Sequence, residues 1–258
     1  MAKIFCVANQ KGGVGKTTTC VNLAAALALA RQRVLLIDLD PQGNATMGSG
    51  IDKYGCAKTV YPLLVGHTDF ASARVRSEEG GYDLLPANRE LAGAEIDLVS
   101  LERREKRLRD LLAPHLKDYD VILIDCPPSL SLLTLNGLCC AHGVIIPMQC
   151  EYYALEGLSD LVNSIRKIHA QLNPQLQIIG LLRVMFDPRI TLQQQVSSQL
   201  EEYFPDKLFD TIIPRNVRLA EAPSHGVPGV IFDGASKGAR AYRDFARELI
   251  QRIKRLSR

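Results

Sequence analysis

Short runs in which every position is apolar alternate along this chain with stretches where apolar residues return every three or four positions. Runs at residues 4–8, 34–38, 82–85, 121–125, 144–147, 178–184 and 211–213 predict strands. Several lack any polar alternation, as strands covered on both faces must. Residues 20–30 follow the first run with a helical composition. Further on, Leu155, Leu158, Leu161, Val162, Ile165, Ile168 and Leu172 share one helix face. Strands alternating with helices specify βα units, hence an α/β fold with a mainly parallel twisted sheet flanked by helices on both faces. Residues 101–108 predict a solvated helix carrying the i,i+4 pairs Glu102–Lys106 and Glu105–Arg109, and the Gly-, Ser- and charge-rich residues 66–81 predict an irregular connection. No repeat or long linker intervenes, so residues 1–258 are expected to form a single domain.

Composition narrows the class. Hydrophobic residues are 47% and charged residues 23% of the chain, an ordinary globular balance. The longest apolar run, residues 23–30, stops at Arg31-Gln32-Arg33, far short of the roughly 20 residues of a membrane span. The first apolar stretch is too short for a secretory signal, so a cytoplasmic location is expected. The 7 cysteines (6, 20, 56, 126, 139, 140 and 150) include no C-x-x-C pair and predict reduced, mostly buried thiols. The net charge of +3 is unevenly placed: residues 237–258 hold 8 Lys/Arg against 2 Asp/Glu, giving +6 there and −3 elsewhere. At about 100° per residue, Arg240, Arg243, Arg247, Lys254 and Arg258 fall on one stripe, with Tyr242, Phe245, Leu249, Ile253 and Leu256 opposite. Such a helix packs its apolar side on the domain and turns its basic side to DNA phosphates, an anionic membrane or water.

The strongest chemistry follows the first strand. Asn9-Gln10-Lys11-Gly12-Gly13-Val14-Gly15-Lys16-Thr17-Thr18 has the P-loop arrangement of strand, glycine-rich turn and helix, although Gln10 stands where the usual loop begins with Gly. Backbone N–H groups of Gly12, Gly13, Val14 and Gly15 would face a polyphosphate, with the helix N-terminus adding its positive end. Lys16 would reach the β- and γ-phosphates and the Thr17 hydroxyl would ligate Mg²⁺, with Thr18 beside it. Two acidic strand ends support this P-loop NTPase reading. Asp125 fits the carboxylate that holds Mg²⁺ directly or through water; Asp38 and Asp40 share a face, so that one organises the metal shell and the other addresses the attacking water.

Together KGGVGKTTT, DLDPQGNAT, IDCPPSL and IPRNVRLAEAPS resemble the ParA/Soj chromosome-partition ATPases, nearly end to end. These deviant-Walker P-loop ATPases are related to MinD-type division-site ATPases. The resemblance implies a slow ATPase using ATP and Mg²⁺, with Lys11 reaching across a nucleotide-dependent homodimer to the partner's phosphates. It assigns Asp40 to the water nucleophile and residues 213–218, including Pro214, Arg215 and Asn216, to the adenine pocket. It also implies DNA binding without sequence preference through Arg189 and Arg218, nucleoid association, stimulation by a ParB-type centromere-binding protein, and no membrane partner. Arg183 departs from the family pattern, which usually has a smaller residue there, often Thr; the position bears on the base pocket or the surface near it. The alternatives are a MinD-like membrane-associated ATPase, which needs a detachable amphipathic tail, and a metal-cluster carrier, for which Cys126, Cys139 and Cys140 are the only candidates.

Overall fold

Six of the seven predicted strands form in a single sheet. They are β1 (Lys3–Val7), β2 (Val34–Asp38), β4 (Tyr82–Leu85), β5 (Val121–Asp125), β6 (Gly143–Met148) and β7 (Gln177–Arg183), joined by the short β3 (Val75–Ser77). The order is β3-β4-β2-β5-β1-β6-β7, parallel throughout except for the antiparallel β3–β4 pair. The computed structural model describes residues 1–256; Arg258 of the basic stripe lies outside the described residues, as does the side chain of Leu256.

The continuous apolar runs are explained by two core layers. Phe5, Val7, Leu36, Leu123 and Leu182 face the helix Lys16–Leu29 and the C-terminal helix Lys237–Leu256. Ile4, Cys6, Leu35, Ile124 and Ile146 face the other way, toward helices Leu132–Cys140 and Ala154–Gln171, where the predicted stripe buries Leu158, Leu161, Val162, Ile165 and Ile168. Alternate side chains therefore leave each strand on opposite faces, and neither face meets water. The apolar side of the C-terminal helix is sealed in this core, with Tyr242, Phe245 and Leu249 at most 1% exposed. At about 2 kcal/mol per buried large side chain, those contacts fix residues 242–249 of the helix on the domain.

Three expectations need correction. Residues 66–81 contain a strand after all: β3 is too brief to show a period, and its Arg76 pairs with Asp83 of β4 at 3.0 Å. Residues 101–108 do not form one helix; a 3-10 turn at Arg104–Lys106 leads into a helix only at Arg107–Leu112. Arg103 adopts φ 53°, and the Asn136 side chain both accepts from Leu108 N at 3.1 Å and donates to Arg104 O at 2.8 Å, so a tertiary contact overrides local pattern. The expected pairs Glu102–Lys106 and Glu105–Arg109 give way to ion pairs of Arg103 and Arg109 with Asp110. Finally, residues 211–213 are not a regular strand. They belong to an extended segment that covers the open edge of β7 with a parallel bridge at Leu181–Leu208 and a second at Phe186–Pro214.

Candidate nucleotide-binding site

The order β2-β5-β1 sets three strand ends side by side, with Asp125 in register with both Asp38 and Val7. The loop leaving β1 crosses this edge and feeds the helix Lys16–Leu29. Gly13 and Gly15 lie in the left-handed region, at φ 72° and 76°, where a side chain would cost about 1–2 kcal/mol. At Gly12 and Gly13 no atom lies within 4 Å of where a Cβ would stand, so the loop presents bare backbone to an open space. That cradle fits a polyphosphate placed on backbone N–H groups and a helix N-terminus.

Lys16, 8% exposed, donates from Nζ to the carbonyl of Lys11 at 3.1 Å. Burial lowers its pKa, opposed by the charges of Asp125 and Asp40. Asp125 is fully buried; one oxygen accepts from Cys20 Sγ at 3.6 Å, and Oδ2 has no hydrogen-bond partner. Burial, then the neighbouring Asp38, push its carboxyl above the ordinary range, while Thr17 and Lys16 act to lower it. A buried carboxylate oxygen without a partner, beside a hydroxyl, is the hard oxygen donor set that suits Mg²⁺. Among the described residues no group of three or more Asp, Glu, His or Cys surrounds one metal point.

Asp38 is placed differently from the sequence expectation of a metal ligand. Its Oδ2 accepts from Thr46 N and Oγ1 at 2.8 and 2.7 Å, and Oδ1 from Asp40 N at 3.1 Å. Thr46 Oγ1 in turn accepts from Ala87 N at 2.9 Å. Both oxygens of Asp38 are thus engaged in holding the turn that carries Asp40. Asp40 itself is half-buried, with Oδ1 accepting from Gln42 N at 2.9 Å.

Lys11 lies at the mouth of the loop with its Nζ 2.5 Å from Glu151 Oε2, each side chain about half exposed. Glu151 was not anticipated, although it closely follows β6 and so belongs to the same edge that identified Asp38 and Asp125.

Beside the loop opens an apolar cavity of about 310 Å³ whose wall includes Val184, Met185, Pro214, Arg215, Asn216 and Tyr242. Gly15 and Thr18 line it too, so cavity and phosphate cradle are continuous. Tyr242 was expected only as a core residue; its hydroxyl also meets Thr19 Oγ1 at 3.1 Å. Met185 adopts φ 52° at this wall, an uncommon conformation for a side-chain-bearing residue, and its sulfur accepts from Gln149 Nε2 at 3.0 Å. Arg183 is not among the cavity's lining residues. The strand alternation turns it to the opposite side, where it meets Ser197 and Glu201.

Arg189 and Arg218 lie outside the cradle and both are ion-paired. Arg189, 87% exposed, grips Asp187 through Nε and NH2 at 2.9 and 2.7 Å and holds that carboxyl down to about 2. Arg218 pairs with Glu221 at 2.9 Å and Asp233 at 3.5 Å. Within the basic stripe, Arg240 and Arg243 donate to the carbonyls of Ala235 and Gly234, and Arg247 pairs with Asp244. Cys126, Cys139 and Cys140 are buried core thiols.

A family model described as an AAA domain matches residues 2–178. The sporulation initiation inhibitor protein Soj of Bacillus subtilis is 51% identical over 249 residues, which cover 96% of this chain and 98% of Soj. The chromosome partitioning protein ParA of Myxococcus xanthus is 48% identical over 252 residues, 98% of this chain and 89% of ParA. A solved structure from Mycobacterium smegmatis, named cobyrinic acid a,c-diamide synthase and holding an ATP analogue and magnesium, superposes with a TM-score of 0.87. It is 40% identical, covering 98% of this chain and 96% of that one.

Proposed function

The chain belongs to the ParA/Soj family of P-loop partition ATPases, and on that premise we propose that it is an ATP-driven DNA switch that segregates a chromosome or plasmid. Two copies close on ATP and Mg²⁺, the closed dimer binds DNA without sequence preference, and hydrolysis stimulated by a ParB-type partner releases it. The ATP analogue and magnesium held by the 40% identical structure support these cofactors. The chromosome-partitioning names of two relatives at 48% identity favour this role over amide synthesis.

The observation that carries the reading is the division of labour between two lysines. Lys16 is buried against its own loop, whereas Lys11 stands half-exposed at the rim on Glu151, free to exchange that partner for a phosphate of a second copy. A cation delivered across an interface stabilises charge developing on the transferred phosphoryl group only once the dimer has formed. Hydrolysis is thereby tied to assembly. In this scheme Thr17 and Asp125 hold Mg²⁺, Asp40 orients the attacking water, and Asp38 positions Asp40 through its backbone N–H. The bound Mg²⁺ would neutralise charge on the β- and γ-phosphates. Pro214, Arg215 and Asn216 bound the adenine. Arg189 and Arg218 contact DNA phosphates, exchanging Asp187, Glu221 and Asp233 for the nucleic acid. The switch acts in the cytoplasm on the nucleoid.

Light scattering of the wild type and Asp40→Ala with ADP, with ATP, and with ATP plus random-sequence DNA tests the scheme. Dimers are expected with ATP alone, persisting longest in Asp40→Ala, and larger assemblies only when DNA is added. A protein that stays monomeric with ATP, or that binds DNA equally with ADP, overturns it. Lys11→Ala should retain ATP and remain monomeric.

A further inference from the structure

Among the described residues Arg183 is the most deeply buried arginine, 5% exposed, and it is absent from both the phosphate cradle and the base cavity. Its guanidinium connects elements that are distant in sequence. NH1 donates to Ser197 Oγ at 2.8 Å and to Glu201 Oε1 at 2.6 Å, both on the helix Thr191–Tyr203. NH2 donates to the carbonyl of Phe209 at 3.2 Å. The Arg183 carbonyl accepts from Ile213 N at 2.9 Å, so side chain and backbone of one residue grip the covering segment at two points.

Those two points matter because of what comes next along the chain. Immediately past Ile213 lie Pro214, Arg215 and Asn216, and immediately past Arg183 lie Val184 and Met185; together these form one side of the base cavity. The covering segment is not a regular strand: backbone hydrogen bonds hold it through Leu181 at residues 207–209 and through Arg183 and Phe186 at residues 213–215, while between these points the N–H groups of Asp210 and Thr211 turn to Glu248 instead. A buried guanidinium is directional: NH1 and NH2 are met by acceptors while the buried Nε has none, so moving any one of those acceptors leaves the charge still less satisfied in the interior. Glu201, with its side chain 58% exposed, supplies the opposing charge from the helix.

We propose that Arg183 is a positioning residue of the nucleotide site: from the far side of β7 it locks the covering segment to the helix Thr191–Tyr203 and thereby sets the shape of the base cavity. It touches neither nucleotide nor metal. The proposal rests on the reading of that cavity as the adenine site, and its signature is selective, weakening the grip on the base while leaving the phosphate cradle intact.

The test measures binding of Mg²⁺ with ATP, and of Mg²⁺ with inorganic tripolyphosphate, to the wild type, Arg183→Met and Glu201→Gln. Arg183→Met should raise the Kd for ATP about tenfold while the Kd for tripolyphosphate stays within about twofold. In steady-state hydrolysis the loss should fall on KM, with kcat within about twofold. Glu201→Gln keeps an acceptor for NH1 but removes the charge, so it should shift the same way by about threefold, and it decides the matter if Arg183→Met does not fold. Equal losses for both ligands mean a general structural role and overturn the proposal, as does an unchanged Kd for ATP in a folded variant. If the wild type binds ATP no more tightly than tripolyphosphate, the adenine assignment itself fails and takes this role with it; a wild-type preference for ATP that survives in both variants removes Arg183 alone.

Discussion

The two halves of the candidate nucleotide site are built on opposite plans. The phosphate half is local: one loop at residues 11–18 and acidic strand ends in adjoining register, where charges are buried close together and bias one another's protonation. The base half is apolar and dispersed, drawn from residues 184–185, from 213–220 and from Tyr242. A site of few interior charges depends on each of them, because a missing charge has no substitute and its partner is left unpaired. A site of many dispersion contacts loses only a share with each change.

The largest contrast should come from one substitution in each half. Lys16→Ala is expected to weaken ATP binding by about 100-fold or more, whereas Met185→Ala should cost about tenfold or less, both read by calorimetry. Comparable losses would break the comparison; normal affinity in Lys16→Ala would remove the P-loop assignment itself. Within the phosphate half, binding and chemistry should separate. Asp40→Ala should lower hydrolysis by about 100-fold with little change in the Kd for ATP, because water loses its orienting carboxylate while phosphate contacts persist. Wild-type turnover in that variant would pass the role to another carboxylate.

A surface outside both halves provides a control of intermediate size. Replacing Arg189 and Arg218 together by Ala should weaken ATP-dependent binding to every duplex alike, and flatten its salt dependence by about 0.9 log unit per lost phosphate contact. Dimerisation should survive. An unchanged salt slope would direct attention to the basic stripe instead.

The last contrast is a pH dependence confined to the phosphate half. In the nucleotide-free protein burial, then the charge of Asp38, raise Asp125 to about 8, above its unfolded value of about 4. Its stability contribution is therefore fully present below about pH 4 and is lost as pH rises through about 8, with a slope of at most about 1.4 kcal/mol per pH unit for one proton. The melting temperature should fall from pH 5 to pH 8 in the wild type and in Met185→Ala, but less steeply in Asp125→Asn. Identical slopes in all three would contradict the burial argument.

The same contrast explains what could be read from the amino-acid sequence. β2, β4 and β5 were legible to the residue, because apolar runs bounded by polar ends mark strands buried on both faces. The candidate phosphate half was legible because its loop is contiguous and its acids stand at or just past the ends of β2 and β5. The base half was not, since nothing local links Met185 to Asn216 or Tyr242; only the family resemblance pointed to residues 213–218. Glu151 was missed because polar Gln149 and Cys150 separate it from the apolar run of β6. Asn136 rewrote the helix expected at 101–108 from a distant position, which no local period records.

The packing of the C-terminal helix also sets a timetable. Tyr242 lines the base cavity and meets Thr19, while Phe245 and Leu249 seal the layer that holds Leu23 and Leu27. On the ribosome the P-loop emerges early, but these covering residues arrive after the whole sheet has been made. Until then the nascent chain carries a bare apolar stripe on its first helix and a cradle that lacks one wall, a form exposed to chaperones and proteases. ATP, which stabilises only the state that binds it, therefore rewards chains that have delivered residues 237–256.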